Sequence, residues 1–137
     1  MANVKYLSGR TGIGSGTILL LTDTIKFQPI NTANYTVNAT SHTSLVDIPT
    51  SARKGTAGTL ANKTVSNGVF DADDLSISGI NADEVDAGVF YKSTGVEATS
   101  TLIAYVDTAV SGLPTGALSN NTVTFAWSNG SSKIFEV

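Results

Sequence analysis

Cysteine is absent from this chain of 137 residues. Its absence excludes disulfide frameworks, thiolate zinc sites and cysteine nucleophiles. Histidine and tryptophan occur once each, as His42 and Trp127. One imidazole and no thiol leave few ways to assemble a catalytic triad or a transition-metal site. Charge is scarce: Asp, Glu, Lys and Arg make up 14% of the chain, against about 25% in an average soluble protein. The eight basic residues are scattered and the net charge is −3. A nucleic-acid reader concentrates positive charge to displace counterions, so nucleic acid is not an expected partner, and neither is an anionic membrane surface. No run of about 18 apolar residues offers a membrane span. Ile18, Leu19, Leu20 and Leu21 form too short a run for a secretory leader, and none is expected.

What is present is serine and threonine, about a quarter of the residues, with 13 glycines and a hydrophobic share of 41%. This is one domain's worth of chain, and it lacks the high charge of disordered sequences. Turn signals recur every ~8–15 residues, and the apolar residues between them come in short β-branched and aromatic runs. The pattern predicts an all-β fold, a jelly-roll-like β-sandwich over residues 18–137. Residues 1–17, with Gly9, Gly12, Gly14 and Gly16, read as a flexible, extended arm. Residues 17–27 read as a strand whose leucine run is covered on both sides, and Pro29 should interrupt pairing or sit at an edge. One short helix is expected near residues 43–48, capped by Ser41 or Thr43 and stopped by Pro49. Leu75 and Ile77 should face inward. Residues 85–92 and 102–107 read as a hairpin with a long polar loop, and residues 107–121 as a loop. Val123, Phe125 and Trp127 alternate with smaller residues as a half-buried strand does. Ser128, Asn129, Gly130 and Ser131 form a turn before a last strand with Phe135 and Val137 on one face.

No constellation carries chemistry. The glycine arm lacks the preceding strand and following helix of a dinucleotide fingerprint, and the Lys-Ser or Lys-Thr of a P-loop. Asp71, Asp73 and Asp74, with Asp83, Glu84 and Asp86 behind them, are the densest carboxylates, but lack the spacing of a calcium loop. They read as a solvated turn whose side chains bond their own backbone. Paired carboxylates for glycoside hydrolysis would need a cleft lined by more aromatics than remain once the core is filled. His42, near Ser41, Ser44 and Asp47, reads as a surface or capping residue. Tyr6, Tyr35, Tyr91, Tyr105, Phe70, Phe90 and Phe125 read as core or sheet packing. No catalytic residue, metal ligand or cofactor site is therefore assigned, and no enzyme activity is expected. Low charge limits self-repulsion and permits close packing against like subunits, as in a structural tile.

Three segments carry a resemblance: Phe70-Asp71-Ala72-Asp73-Asp74, residues 91–107 (YKSTGVEATSTLIAYVD) and residues 127–135 (WSNGSSKIF). From about Thr22 onward the chain resembles small virion structural proteins of tailed bacteriophages. The resemblance implies a β-sandwich or jelly-roll-like virion component without catalytic residues. Comparable proteins act as capsid decoration, or cement, subunits that bind the outside of the shell. The expected partner is then the major capsid protein, the expected state a homo-oligomer (dimer or trimer), and the expected location the capsid exterior after synthesis in the host cytoplasm. Two other expectations stand beside it: a tail, neck or fibre-associated adaptor, and a binding module for host-surface glycans. The arm is expected to order on binding and reach a neighbour.

Overall fold

The computed structural model describes residues 3–108, 110–130 and 133–137. Eleven strands run in chain order: β1 (Val4–Lys5), β2 (Ile25–Ile30), β3 (Gly58–Thr59), β4 (Thr64–Ser66), β5 (Val69–Asp71), β6 (Leu75–Ala82), β7 (Ala87–Lys92), β8 (Leu102–Val106), β9 (Val110–Ser111), β10 (Leu118–Trp127) and β11 (Phe135–Glu136). One α-helix, α1 (Leu7–Ser15), follows β1, and three short 3-10 turns lie in the connections. The fold is all-β apart from these. A five-stranded sheet has the order β1-β8-β7-β2-β3, and two three-stranded sheets have the orders β6-β10-β9 and β11-β5-β4. Every strand pairing is antiparallel.

The five-stranded sheet is buried on both faces, which explains its continuous apolar strands. Ile25, Phe27, Phe90, Ala104 and Val106 join Ile77, Val123, Phe125 and Trp127 of the β6-β10-β9 sheet, and Phe70 and Phe135 of the third sheet, in one core. The alternate residues Ile30, Ala87, Val89, Tyr91 and Tyr105 face the other way. There they pack with Tyr6, Tyr35, Leu45, Ile48 and Ala52. The expected β7–β8 hairpin is present, as are the inward faces of Ile77 and of Val123, Phe125 and Trp127. Pro29 sits inside β2, opposite Gly88 of β7. Its missing N–H falls on the side where β3 has already ended, and its carbonyl accepts there from Lys54.

Four expectations are corrected. The glycine-rich segment is not an extended, flexible arm in its described residues (Met1 and Ala2 lie outside them). It forms β1, a fully buried Tyr6 and α1, packed on β8. A Cβ added at Gly9 would lie 2.5 Å from Ile103 Cα, so the glycine permits contact between helix and strand backbones. Ile103 is the extra residue of a bulge between Phe90↔Ala104 and Tyr91↔Leu102, and its carbonyl accepts from the Tyr6 amide. The leucine run is likewise not a strand but a turn-rich connection, with Ile18 and Leu20 buried and Leu19 and Leu21 in water. The helix expected at residues 43–48 is only a 3-10 turn, Leu45–Asp47. Its start is held by the Asp47 carboxylate, which accepts from the amides of Thr43 and Ser44, not by Ser41 or Thr43. Finally, the expected 107–121 loop contains β9 and the start of β10, with Ala109 outside the described residues. The turn expected at 128–131 is described only to Gly130, whose amide donates to Ser128 Oγ. The last strand pairs with β5, and Val137 is half exposed beside a buried Phe135.

Candidate functional site

Two surface features are built well enough to act. The first is an open cavity of about 410 Å³, with Thr32, Tyr35, Val37, Asp86, Tyr105, Asp107 and Pro114 among its lining residues. The Thr32 amide and hydroxyl donate to the two carboxylate oxygens of Asp86 at 2.9 and 2.5 Å. The Tyr105 hydroxyl donates to Asp107 Oδ2 at 3.1 Å. Asn3 Oδ1 accepts from the amides of Asp107 and Thr108, tying the chain start to this rim. Burial pushes the Tyr105 phenol well above its usual range, and the Asp107 charge adds to the shift.

From Tyr35 in the cavity wall runs a line of polar side chains, two buried phenols and the half-buried His42. Tyr35 Oη lies 2.8 Å from both Tyr6 Oη and His42 Nδ1. The Asn38 amide donates to the same Nδ1 at 3.3 Å. Nδ1 is therefore the acceptor, Tyr35 donates to it, and Tyr6 donates to Tyr35. Burial raises both phenols, Tyr6 furthest, so both keep their protons at neutral pH. It has the form of a structural tie rather than a triad. His42 faces a phenol, and the carboxylate of Asp47 is engaged by backbone amides.

The acidic residues singled out from sequence are dispersed. Asp74 Oδ1 accepts from the Trp127 amide, the Asp73 carbonyl from the Trp127 indole, and Asp73 Oδ2 from Asn62 Nδ2. Asp86 belongs to the cavity. Among the described residues, no group of three or more His, Asp or Glu could hold a metal ion. The aromatics singled out from sequence are all buried, Phe90 and Phe125 against Phe27 and the four tyrosines in the opposite core. No helix is long and apolar enough to cross a membrane among the described residues.

The second feature is an apolar groove of about 370 Å³, lined by Ile13, Ile18, Leu19, Leu21, Val65 and Val137 among others. Leu19 and Leu21 are 55% and 52% exposed. The loop that presents them is stapled at one residue, Asp23. Its carboxylate accepts from the Leu19 amide at 2.7 Å and pairs with Lys92 Nζ at 3.1 Å. The Asp23 amide donates to the Leu19 carbonyl, and the Asp23 carbonyl accepts from Lys63 Nζ. The leucines are thus held in water by a fixed scaffold, and contiguous exposed apolar groups mark contact surfaces. The groove leaves no mark in the sequence, because a continuous apolar run reads as a strand covered on both sides whether or not two of its leucines stay in water.

The staple has a measurable consequence. The Leu19 amide, with Lys92, holds the Asp23 carboxyl below its usual range, and the amides of Thr43 and Ser44 do the same for Asp47. A lowered folded-state value adds stability that is present above the unfolded value, about 3.9, and lost as pH falls through the folded one. The melting temperature is expected to be level above about pH 5 and to fall below about pH 4. Thermal melts from pH 7 to 2.5 check this, and Asp23→Asn should flatten part of the fall. No protein-family model matches this chain, and no curated protein sequence matches it significantly.

Proposed function

We propose that this chain is a structural protein of a tailed-bacteriophage virion, a decoration subunit that binds the outer face of the capsid shell and works by adhesion, without a reactive centre. The observation that carries this reading is the stapled groove, where Leu19 and Leu21 stand in water on a loop fixed by Asp23. The phage-like segments at residues 70–74, 91–107 and 127–135 support it, as do the low charge and the all-β architecture. The fold in this reading is a jelly-roll-like sandwich, with the five-stranded sheet facing the two three-stranded ones across the Phe27 core. Its partner is the major capsid protein, and repeated weak contacts on the lattice gain from effective concentration.

Micrographs of intact particles carrying the labelled chain test the role. Label over the whole shell is expected. Label confined to one vertex or the tail would replace decoration with an adaptor role. The open cavity, with its two carboxylates and two phenols, favours a second reading as a host-glycan module. Binding of a defined sugar on a glycan array, without shell labelling, would select that reading.

A further inference from the structure

We propose that the groove takes an extended segment of the shell subunit, which adds to the free edge of β4 with alternate apolar side chains and an acidic residue at one end. This rests on the decoration role above and specifies the chemistry of its partner.

The edge comes from the hairpin. β4 is the outer strand of its sheet, and its three residues are exposed. The β4–β5 turn has two residues, Asn67 and Gly68, with φ of 52° and 75°. Such a turn makes Ser66↔Val69 the closing hydrogen-bonded pair and Val65↔Phe70 the next, non-bonded pair. The Val65 amide and carbonyl therefore point away from β5, toward an incoming strand. Val65 shares a sheet face with Phe70, which is in the core, and its side chain lines the groove. An added strand would offer every second side chain to Leu19, Leu21 and Ile18, as in other cases of strand addition.

The charge of the occupant follows from the neighbouring depression, lined by Lys5, Arg10, Ile13, Gly14 and Val137. It shares Ile13 and Val137 with the groove, so the apolar floor ends beside the exposed Arg10 and beside Lys5, whose Nζ donates to the Glu136 carbonyl at 2.6 Å. A second copy of this chain suits the groove less well. Four half-exposed side chains offer on the order of 300–400 Å² per protomer, against ~800 Å² from each partner of a stable complex. An area that small suits a contact multiplied on a lattice.

The test uses the full chain and capsids of the encoding phage that lack it. Leu21→Glu, Arg10→Glu and Val65→Pro should each lower shell occupancy at least tenfold with the thermal midpoint unchanged. Val96→Glu, in the exposed stretch 94–99, should not. Shell-bound wild-type chain should also show slowed exchange of the Val65 amide. If the wild type covers the shell and the three groove variants cover it equally, the groove assignment is overturned while the decoration role stands. If the wild type fails to bind shells, both fall. A solution dimer that Leu21→Glu dissolves would give the groove to a second copy and overturn the strand-addition reading.

Discussion

Phe27→Ala should destabilise the protein by about 3–5 kcal/mol, the largest loss expected from any single truncation here. Phe27 is fully buried, and its ring lies 5.0 Å from Phe90, 5.0 Å from Phe125 and 5.1 Å from Trp127, centroid to centroid. It therefore joins the five-stranded sheet to β10 in one core. The ring also lies directly over Gly88, where an added Cβ would come 2.1 Å from Phe27 Cζ. With glycine beneath it, position 88 offers no side chain to fill the space left by alanine. The two positions should be strongly non-additive. Gly88→Ala should be costly with Phe27 present and much less so beside Phe27→Ala. Urea unfolding of the four proteins in that cycle measures both effects. A Phe27→Ala loss below about 1.5 kcal/mol would mean that the cluster does not hold the sheets together.

Gly9→Ala should cost about 2–3 kcal/mol, although alanine is the better helix former by about 1 kcal/mol. The sign is the point. On a loose arm, or on an exposed helix, the substitution would be neutral or stabilising. In this fold the new methyl would meet the backbone of β8, 2.5 Å from Ile103 Cα and 2.8 Å from its carbonyl oxygen. Strand backbone has little room to give, so α1 must lift. Lifting it breaks the Tyr6 amide bond to Ile103 and the Ser8 hydroxyl bond to the Leu102 carbonyl. Gly14→Ala is the internal control, because nothing lies within 4 Å of a Cβ there. Denaturant midpoints for the two variants should move in opposite directions. A stabilised Gly9→Ala would show that α1 is not docked as described.

The β strands that were legible in the sequence share one property: each carries its own face pattern. Val123, Phe125 and Trp127 alternate with exposed or half-exposed neighbours, and the structure buries all three. Residues 85–92 and 102–107 read as strands because their apolar residues are β-branched and aromatic, and the sheet that holds β7 and β8 is covered on both sides. The leucine run reads as a strand too and yet is not one. Asp23, four residues after Leu19, closes the loop through the Leu19 amide, and a side chain capping a turn leaves no periodic trace. The acidic stretch reads, from sequence, as side chains bonding local backbone. Two of its carboxylates instead reach distant partners, Asp74 to Trp127 and Asp86 to Thr32.

Composition and periodicity alone determined that this is an all-β chain without a thiol, with one imidazole and with no basic patch, because those properties are local or additive. Tertiary structure decided what the glycines are for and which leucines stay in water. A glycine's role depends on how closely another backbone approaches it, and a leucine's exposure on which elements reach it. Both are set by contacts between residues far apart in the chain, such as Gly9 with Ile103 and Asp23 with Lys92.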